Sequence, residues 1–279
     1  MFSNIRERLY AYLEPVEVLE WAIWAFSVTW WNALRSHGIR AFSKASRWRG
    51  EAFALWFRAL SKMVNPIFSI WHCISDPVDP YYVDLERTSV IPALVGSAEG
   101  TVLEPGPGIG NHLPKFDRDK VKQVYGVESN EAFIPDLQAA VAYFQLGDKY
   151  TIICAGVEET DVLEKYGITA GRIDSIVCIQ VLCSVAQPEA VVKEFYRLLK
   201  PGGKFIFWEH TRSCDRATRI IQNLWTIPCR FFLGGCNLNR DILRIIDSAG
   251  VWENVGSLQR LEENPWDVTP TVWGTFVKP

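Results

Sequence analysis

The chain has 279 residues, enough for one α/β domain with a sizeable core and an appendage but short for two full catalytic domains. Its 29 Lys and Arg against 32 Asp and Glu leave a formal net charge of -3, which offers no field to draw in a polyanion, so no nucleic-acid partner is expected. The cysteines at Cys73, Cys154, Cys178, Cys183, Cys214, Cys229 and Cys236 form no CxxC pair and are odd in number, which argues against a disulfide framework or a zinc cluster and for reduced thiols in a cytosolic setting.

The first residues mix charges with apolar side chains and lead to no small-residue cleavage site, so a secretory signal peptide is not expected. Trp21, Trp24, Trp30, Trp31, Trp48, Trp56 and Trp71 crowd the first quarter, a composition shift that divides the chain into a helical extension over residues 1–80 and a domain over 81–279. The uncharged run from Trp21 to Leu34 is too short to cross a bilayer, which takes roughly 20 apolar residues. No acid occurs between Glu20 and Glu51, whereas Arg35, Arg40, Lys44, Arg47 and Arg49 are basic, with Arg40, Lys44 and Arg47 at i, i+4, i+7. An apolar Trp-rich helix followed by a basic amphipathic one is the pattern of a segment lying in the interface of an anionic membrane. The stretch from Ala52 to Ile74, broken by Arg58, Lys62 and Pro66, fits the same arrangement. The alternative is that these helices pack on the domain as a lid or a dimer interface; the membrane interface is the preferred expectation.

From residue 100 short apolar runs alternate with helical ones, the signature of a mostly parallel sheet with helices on both faces. Strands are expected at Thr101–Glu104, Gln123–Glu128, Tyr150–Cys154, Ile173–Ile179 and Lys204–Trp208. A helix starting at Pro188 is stopped by Pro201-Gly202-Gly203. Thr211 to Leu238 reads as an apolar insertion broken by Pro228 and Gly234-Gly235. A helix capped by Asn239 and ending at Gly250 should follow, then strands near Trp252–Leu258 and Thr271–Lys278.

Glu104-Pro105-Gly106-Pro107-Gly108-Ile109-Gly110 closes the first strand with an acid and then glycines at every second position, which lets the backbone turn tightly and approach a ligand closely. Glu128, at the end of the second strand, is where a carboxylate accepts both hydroxyls of a ribose. Glycine turn and ribose acid serve nicotinamide enzymes as well. The acid heading the glycine motif and Leu199-Lys200-Pro201-Gly202-Gly203 before the fifth strand favour another class, since the chain here resembles the class I methyltransferases. With Val181-Leu182-Cys183-Ser184-Val185, Phe207-Trp208-Glu209-His210 and Gly235-Cys236-Asn237-Leu238-Asn239-Arg240, it is similar to the methyltransferase-like seven family of membrane-associated thiol methyltransferases over residues 100–279.

The resemblance implies a Rossmann-like, seven-stranded, mostly parallel sheet and S-adenosyl-L-methionine as cofactor. Glu104, Gly106, Gly108 and Gly110 would form the cofactor loop, and Glu128 with Ser129 would bind the ribose. Gly156, Val157 and Glu158 fall where the adenine is held, Gly156 replacing the aspartate common there; Ile179, Gln180 and Val181 flank the methionine part. Methyl transfer from a sulfonium is an in-line displacement that needs alignment and a dry site, and no metal. His210, at the carboxyl end of the fifth strand, is the candidate base or orienting residue, its alternative being a brace for a neighbouring loop. Glu209 is open to pairing with an arginine such as Arg212 rather than acting, Cys183 is read as an inert buried thiol with pocket lining as the alternative, and His112 is expected to contact the cofactor carboxylate or cap a turn. Trp208, Trp225, Phe231 and Phe232 are candidate walls of an apolar acceptor pocket, or plain core. The expected activity is methylation of a small apolar acceptor, foremost a thiol, at the cytosolic face of a membrane (endoplasmic reticulum or lipid droplet in a eukaryote), with a cytoplasmic location as the alternative. An O- or N-methyltransferase of a lipid or secondary metabolite, and a non-catalytic membrane adaptor that keeps the fold, are the competing readings.

Overall fold

The computed structural model describes residues 2–64, 90–254, 258–261 and 266–279. The expectations at Pro66, Trp71, Cys73 and Ile74 and the boundary near residue 80 lie outside the described residues.

The extension is a helical hairpin. Helix α1 (Phe2–His37) runs unbroken through the Trp-rich segment, a 3-10 turn spans Gly38–Lys44, and α2 (Ala45–Val64) returns along α1. Small residues on the inner faces set the close approach: Ala22 and Ala25 pack on Trp56, and Ala33 and Ala41 on Trp48. The 3-10 turn separates Arg40 and Lys44 from Arg47, so the three basic residues do not share one helical face, although each is exposed. Among the described residues no helix is long and apolar enough to cross a membrane.

After α3 (Ile91–Gly96), the sheet is built from β1 (Gly100–Pro105), β2 (Val121–Glu128), β3 (Tyr150–Cys154), β4 (Ile173–Ile179), β5 (Leu199–His210), β6 (Glu253–Asn254), β7 (Gln259–Leu261) and β8 (Thr271–Val277). The order is β3-β2-β1-β4-β5-β8-β6, with β7 added on β8. Strands β1 to β5 are mutually parallel and β8 is antiparallel to β5. Helices α4 (Ile134–Tyr143), α5 (Thr160–Lys165) and α6 (Pro188–Leu198) make the connections between the parallel strands. Alternate side chains of the central strands feed two cores: Ile176, Cys178, Phe205 and Phe207 on one face, Val177, Ile179 and Ile206 on the other. The sheet therefore has the expected seven-stranded path.

Three expectations shift. The Pro201-Gly202-Gly203 segment is a bulge inside β5, with Gly202 at φ +78 and the register against β4 slipping between Ile173 and Ser175. Within the run at Trp252–Leu258 the described strand is the short β6, and a further short strand, β7, lies just past its end. The helix after the insertion, α8 (Ile242–Asp247), is capped by Asp241, whose carboxylate accepts the Arg244 amide, while Asn239 instead donates its side-chain amide to Asn223 Oδ1 at 2.8 Å.

The apolar insertion is a single helix, α7 (Arg216–Phe232), that Pro228 does not break. A proline removes one helical hydrogen bond, and burial of Cys229 together with packing of Trp225 and Phe232 outweighs that loss. Asp215 caps its start by accepting the Thr218 amide at 2.7 Å, and the left-handed Gly234 and Gly235 follow its end. The helix is clamped by Gln222, which is fully buried. Its Nε2 donates to the carbonyls of Thr211, Leu238 and Val268 at 3.3, 3.0 and 2.9 Å, and its Oε1 accepts the Ser213 amide at 2.9 Å. One side chain thus joins three segments of chain. Gln222→Leu, similar in volume, strands these groups in an apolar setting and is expected to lower stability by on the order of 3 kcal/mol in urea denaturation; a loss under about 1 kcal/mol would contradict the clamp.

Candidate functional site

The loop leaving β1 is shaped by its glycines. Gly106 and Gly108 adopt φ +61 and +59, a left-handed backbone that side chains resist. A Cβ on Gly106 would lie 2.9 Å from Val181 Cγ2, so only glycine lets this turn approach the end of β4. Gly110 serves packing: a Cβ there would lie 2.1 Å from Leu113. Glu104 is a support beneath the loop. Its carboxylate is 1% exposed, accepts the Tyr150 hydroxyl at 2.6 Å and meets His112 Nδ1 at 2.9 Å.

Glu128 couples β2 to this turn. Its Oε2 accepts the Gly108 amide at 2.9 Å and its Oε1 the Asn130 amide at 2.8 Å. Burial raises its pKa above the usual carboxylate value, against the pull of those amides. After β3, the Gly156 amide donates to Glu159 Oε1 at 2.6 Å.

At the end of β4, Gln180 is held at φ +56, a conformation that costs a non-glycine residue about 1–2 kcal/mol. Its amide donates to the Trp208 carbonyl at 2.8 Å, and its Nε2 stands 3.3 Å from His210 Nε2. The following turn is organised by Glu209, which faces inward from β5 and is fully buried. Its Oε1 accepts the amides of Val181 and Leu182 at 2.8 and 2.9 Å, and its Oε2 that of Cys183 at 3.4 Å. Burial lifts this carboxyl well above its ordinary range. The expected pairing with Arg212 does not form; Arg212 bridges to Asp241 at 2.7 Å.

These loop ends face a cavity of about 600 Å³. One side carries Gly106, Gly108, Glu128, Ser129, Val157, Glu158, Ile179, Gln180 and Val181. The other is aromatic and comes from outside the sheet: Phe26 of α1, Phe53 and Phe57 of α2, Phe133, and Phe231 and Phe232 of α7, with Arg49 and Gly234. Phe57 covers the turn so closely that a Cβ on Gly108 would lie 3.3 Å from its ring. The rings interlock, Phe57 with Phe133 at 5.3 Å and Phe26 with Phe231 at 5.4 Å between centroids. The hairpin is fastened there by Asn130 Nδ2 to the Gly50 carbonyl at 3.0 Å and by Arg58 to Asp136 at 2.6 Å. The hairpin thus closes one side of the cavity.

Glu104, Gly110, Gly156, Trp208, Trp225 and His210 do not line the cavity. Trp208 packs under the sheet near Ile179 and Ile206, and Trp225 donates its indole N–H to the Tyr12 carbonyl at 2.8 Å within the α1–α7 contact. Cys183 is buried, as expected, with its pKa lowered by hydrogen bonding from Cys236. Sequence reading missed Phe26, Phe53, Phe57 and Arg49 as cavity residues, and Glu209 as an organiser. The one available signal for Glu209 was an acid at an inward-facing position of a central strand. Among the described residues no cluster of His, Cys, Asp and Glu could hold a metal ion.

A parallel sheet with β1 and β4 central, β8 antiparallel at one side, and a glycine turn and an acid meeting at the strand ends is the class I methyltransferase fold. A family profile described as a methyltransferase domain matches residues 84–243, and the chain belongs to this family. The human thiol S-methyltransferase TMT1A is 32% identical over 114 residues, covering 40% of this chain and 46% of that protein; the chain thus spans under half of this relative's length. An O-methyltransferase family protein from Burkholderia thailandensis superposes with TM-score 0.54 at 14% identity, over 87% of this chain and 61% of that one. A second structure from that organism, 1,6-didemethyltoxoflavin-N1-methyltransferase with bound 1,6-didemethyltoxoflavin and S-adenosylhomocysteine, gives TM-score 0.50 at 14% identity, over 82% and 89% of the two chains.

His210 Nδ1 is buried without a hydrogen-bond partner, and although part of the ring meets solvent, enclosure by protein pulls its pKa from 6.5 down to about 4. Between those values the unfolded chain binds a proton that the native ring refuses, so native stability falls as pH drops from 6.5 towards 4. The loss should reach up to roughly 3 kcal/mol. Urea denaturation at about pH 7 and about pH 4.5 should show a steeper acid loss for wild type than for His210→Gln; equal losses would refute it.

Proposed function

We propose that the protein is an S-adenosylmethionine-dependent methyltransferase whose acceptor is a small apolar thiol, acting at the cytosolic face of a membrane. The observation that carries this reading is the two-sided cavity: a glycine turn and a buried carboxylate on one side, interlocked aromatic rings on the other. Its volume is in the range of small-molecule and cofactor sites. The cradle suits the cofactor. Glu128 presents carboxylate oxygens to a diol, Gly106 leaves the turn no side chain, Val157 and Glu158 stand where an adenine would lie, and Ile179 to Val181 form the floor. The neighbour with bound S-adenosylhomocysteine supports the same assignment.

When bound, S-adenosylmethionine supplies an electrophilic methyl group on a sulfonium. The chain's own task is to hold the acceptor in line and keep water out, which the phenylalanines of α1, α2 and α7 do. A thiol suits this wall. Its ordinary pKa of about 8.5 already gives a few per cent of the nucleophilic thiolate at neutral pH, so no strong base is needed. Arg49, which has no acid partner among the described residues, favours the thiolate further. The name of TMT1A, a thiol S-methyltransferase, supports the same acceptor class. His210 acts here as a positioning residue: uncharged at neutral pH and one contact behind the cavity, it holds the Gln180 side chain.

The membrane assignment is supported by the exposed Trp21, Trp24 and Trp31 on α1 and by the exposed basic residues of the turn that follows it.

Calorimetric titration should give micromolar affinity for S-adenosylhomocysteine, of order 8 kcal/mol, lost in Glu128→Ala and intermediate in Glu128→Gln, which keeps one accepting oxygen. No binding by folded wild type would overturn the enzyme reading. With alkyl thiols of different acidity, kcat/KM should rise with pH along the titration of each acceptor, and amine or alcohol isosteres should be inert. A profile fixed by the protein and indifferent to the acceptor would overturn the thiol reading.

A further inference from the structure

Helix α7 exposes an apolar stripe that, apart from Phe231 at its end, lies largely open to solvent. Ile220, Leu224, Ile227 and Phe231 recur at i, i+4, i+7 and i+11, and they are 61, 62, 72 and 46% exposed. The opposite side buries Thr218, Gln222 and Cys229. Arg216, Arg219 and Arg230 lie along one edge of the stripe, the helix contains no acid, and none of the three arginines is in an ion pair among the described residues. An apolar face with a cationic edge matches an anionic lipid interface, where the stripe enters the acyl boundary and the guanidinium groups meet head-group phosphates.

Helix α1 lies alongside, joined by Arg8 to Asp215 at 2.9 Å and by Phe26 against Phe231 and Phe232, and it brings Trp21, Trp24 and Trp31 to the same assembly. Glu20 interrupts the α1 face; the α7 stripe has no such interruption. Phe231 belongs both to the stripe and to the cavity wall, and the Arg49 guanidinium lies 4.7 Å above its ring. The edge of the cavity therefore reaches the stripe.

We propose that the outer face of α7 is a membrane-docking element within the catalytic domain itself, seated on an anionic leaflet, and that acceptors reach the cavity from the bilayer past Phe231. The acceptors so favoured are amphiphiles that partition into lipid. This inference rests on the membrane reading of the protein and adds to it a second contact and an entry route.

The test uses the full chain with phosphatidylcholine vesicles, with and without phosphatidylserine. The variant Ile220→Ser, Leu224→Ser, Ile227→Ser changes exposed residues off the cavity, and its unchanged affinity for S-adenosylhomocysteine would report an intact fold. It should bind phosphatidylserine vesicles at least about tenfold more weakly than wild type. Replacing Arg216, Arg219 and Arg230 by Gln should reduce the gain from phosphatidylserine by about fivefold each. Turnover of decanethiol held in vesicles should fall in the serine variant while turnover of mercaptoethanol in water is kept. Equal vesicle binding by wild type and the serine variant would overturn α7 docking and leave α1 as the contact; equal loss on both thiols would overturn the entry route. Absence of vesicle binding by wild type would sink the membrane reading itself, and failure of both thiols would sink the thiol reading while the vesicle arm still decides docking. A wild-type dimer that the serine variant converts to a monomer would reassign the stripe to a second copy of the chain.

Discussion

The hydrogen bond from the Gly108 amide to Glu128 is the constraint from which the site follows. Parallel strands end together, and the loops that leave them carry backbone amides with no ladder partner. Here a buried carboxylate takes two of those amides, one from the loop after β1 and one from the loop after β2, and so sets the spacing of the two exits. Glu209 on β5 plays a related part at the turn after β4, gathering the amides of Val181, Leu182 and Cys183. With those loops fixed, Gly106 meets Val181, and the floor of the cavity has its shape.

Burial raises the pKa of both carboxyls, against the pull of the backbone amides that donate to them. Such groups persist where backbone donors surround them and where removal would strand those donors. The left-handed Gln180 lies between the two and belongs to the same economy of strain: its backbone is forced so that its amide can reach Trp208 and its side chain the cavity.

The sheet was legible because its strands are buried on both faces and read as short apolar runs with glycine punctuation. Pro188 at the start of α6 and the glycine turn after β1 were legible for similar reasons, each being a residue whose backbone preference has one common use. The cavity's aromatic side was not. Phe53 and Phe57 differ in no local way from core phenylalanines, and the fact that α2 lies over Gly108 depends on contacts across the chain, such as Asn130 to Gly50, that no short pattern encodes. The same holds for Glu209, whose partners are backbone amides and hence carry no sequence signature. Asn239 lost the cap to Asp241 because both are good capping residues and only the path of the preceding loop decides between them.

The α1–α2 hairpin precedes the sheet in the chain, yet some of the groups it packs on come from far along it: Arg8 meets Asp215 across 207 residues of sequence. Loop closure over that separation is slow compared with forming a helix. During synthesis the hairpin therefore emerges well before α7 exists, with Phe26 and the rest of the side that meets α7 uncovered. A segment in that condition invites a chaperone or an early lipid contact, and the cavity wall is complete only once α7 has been made.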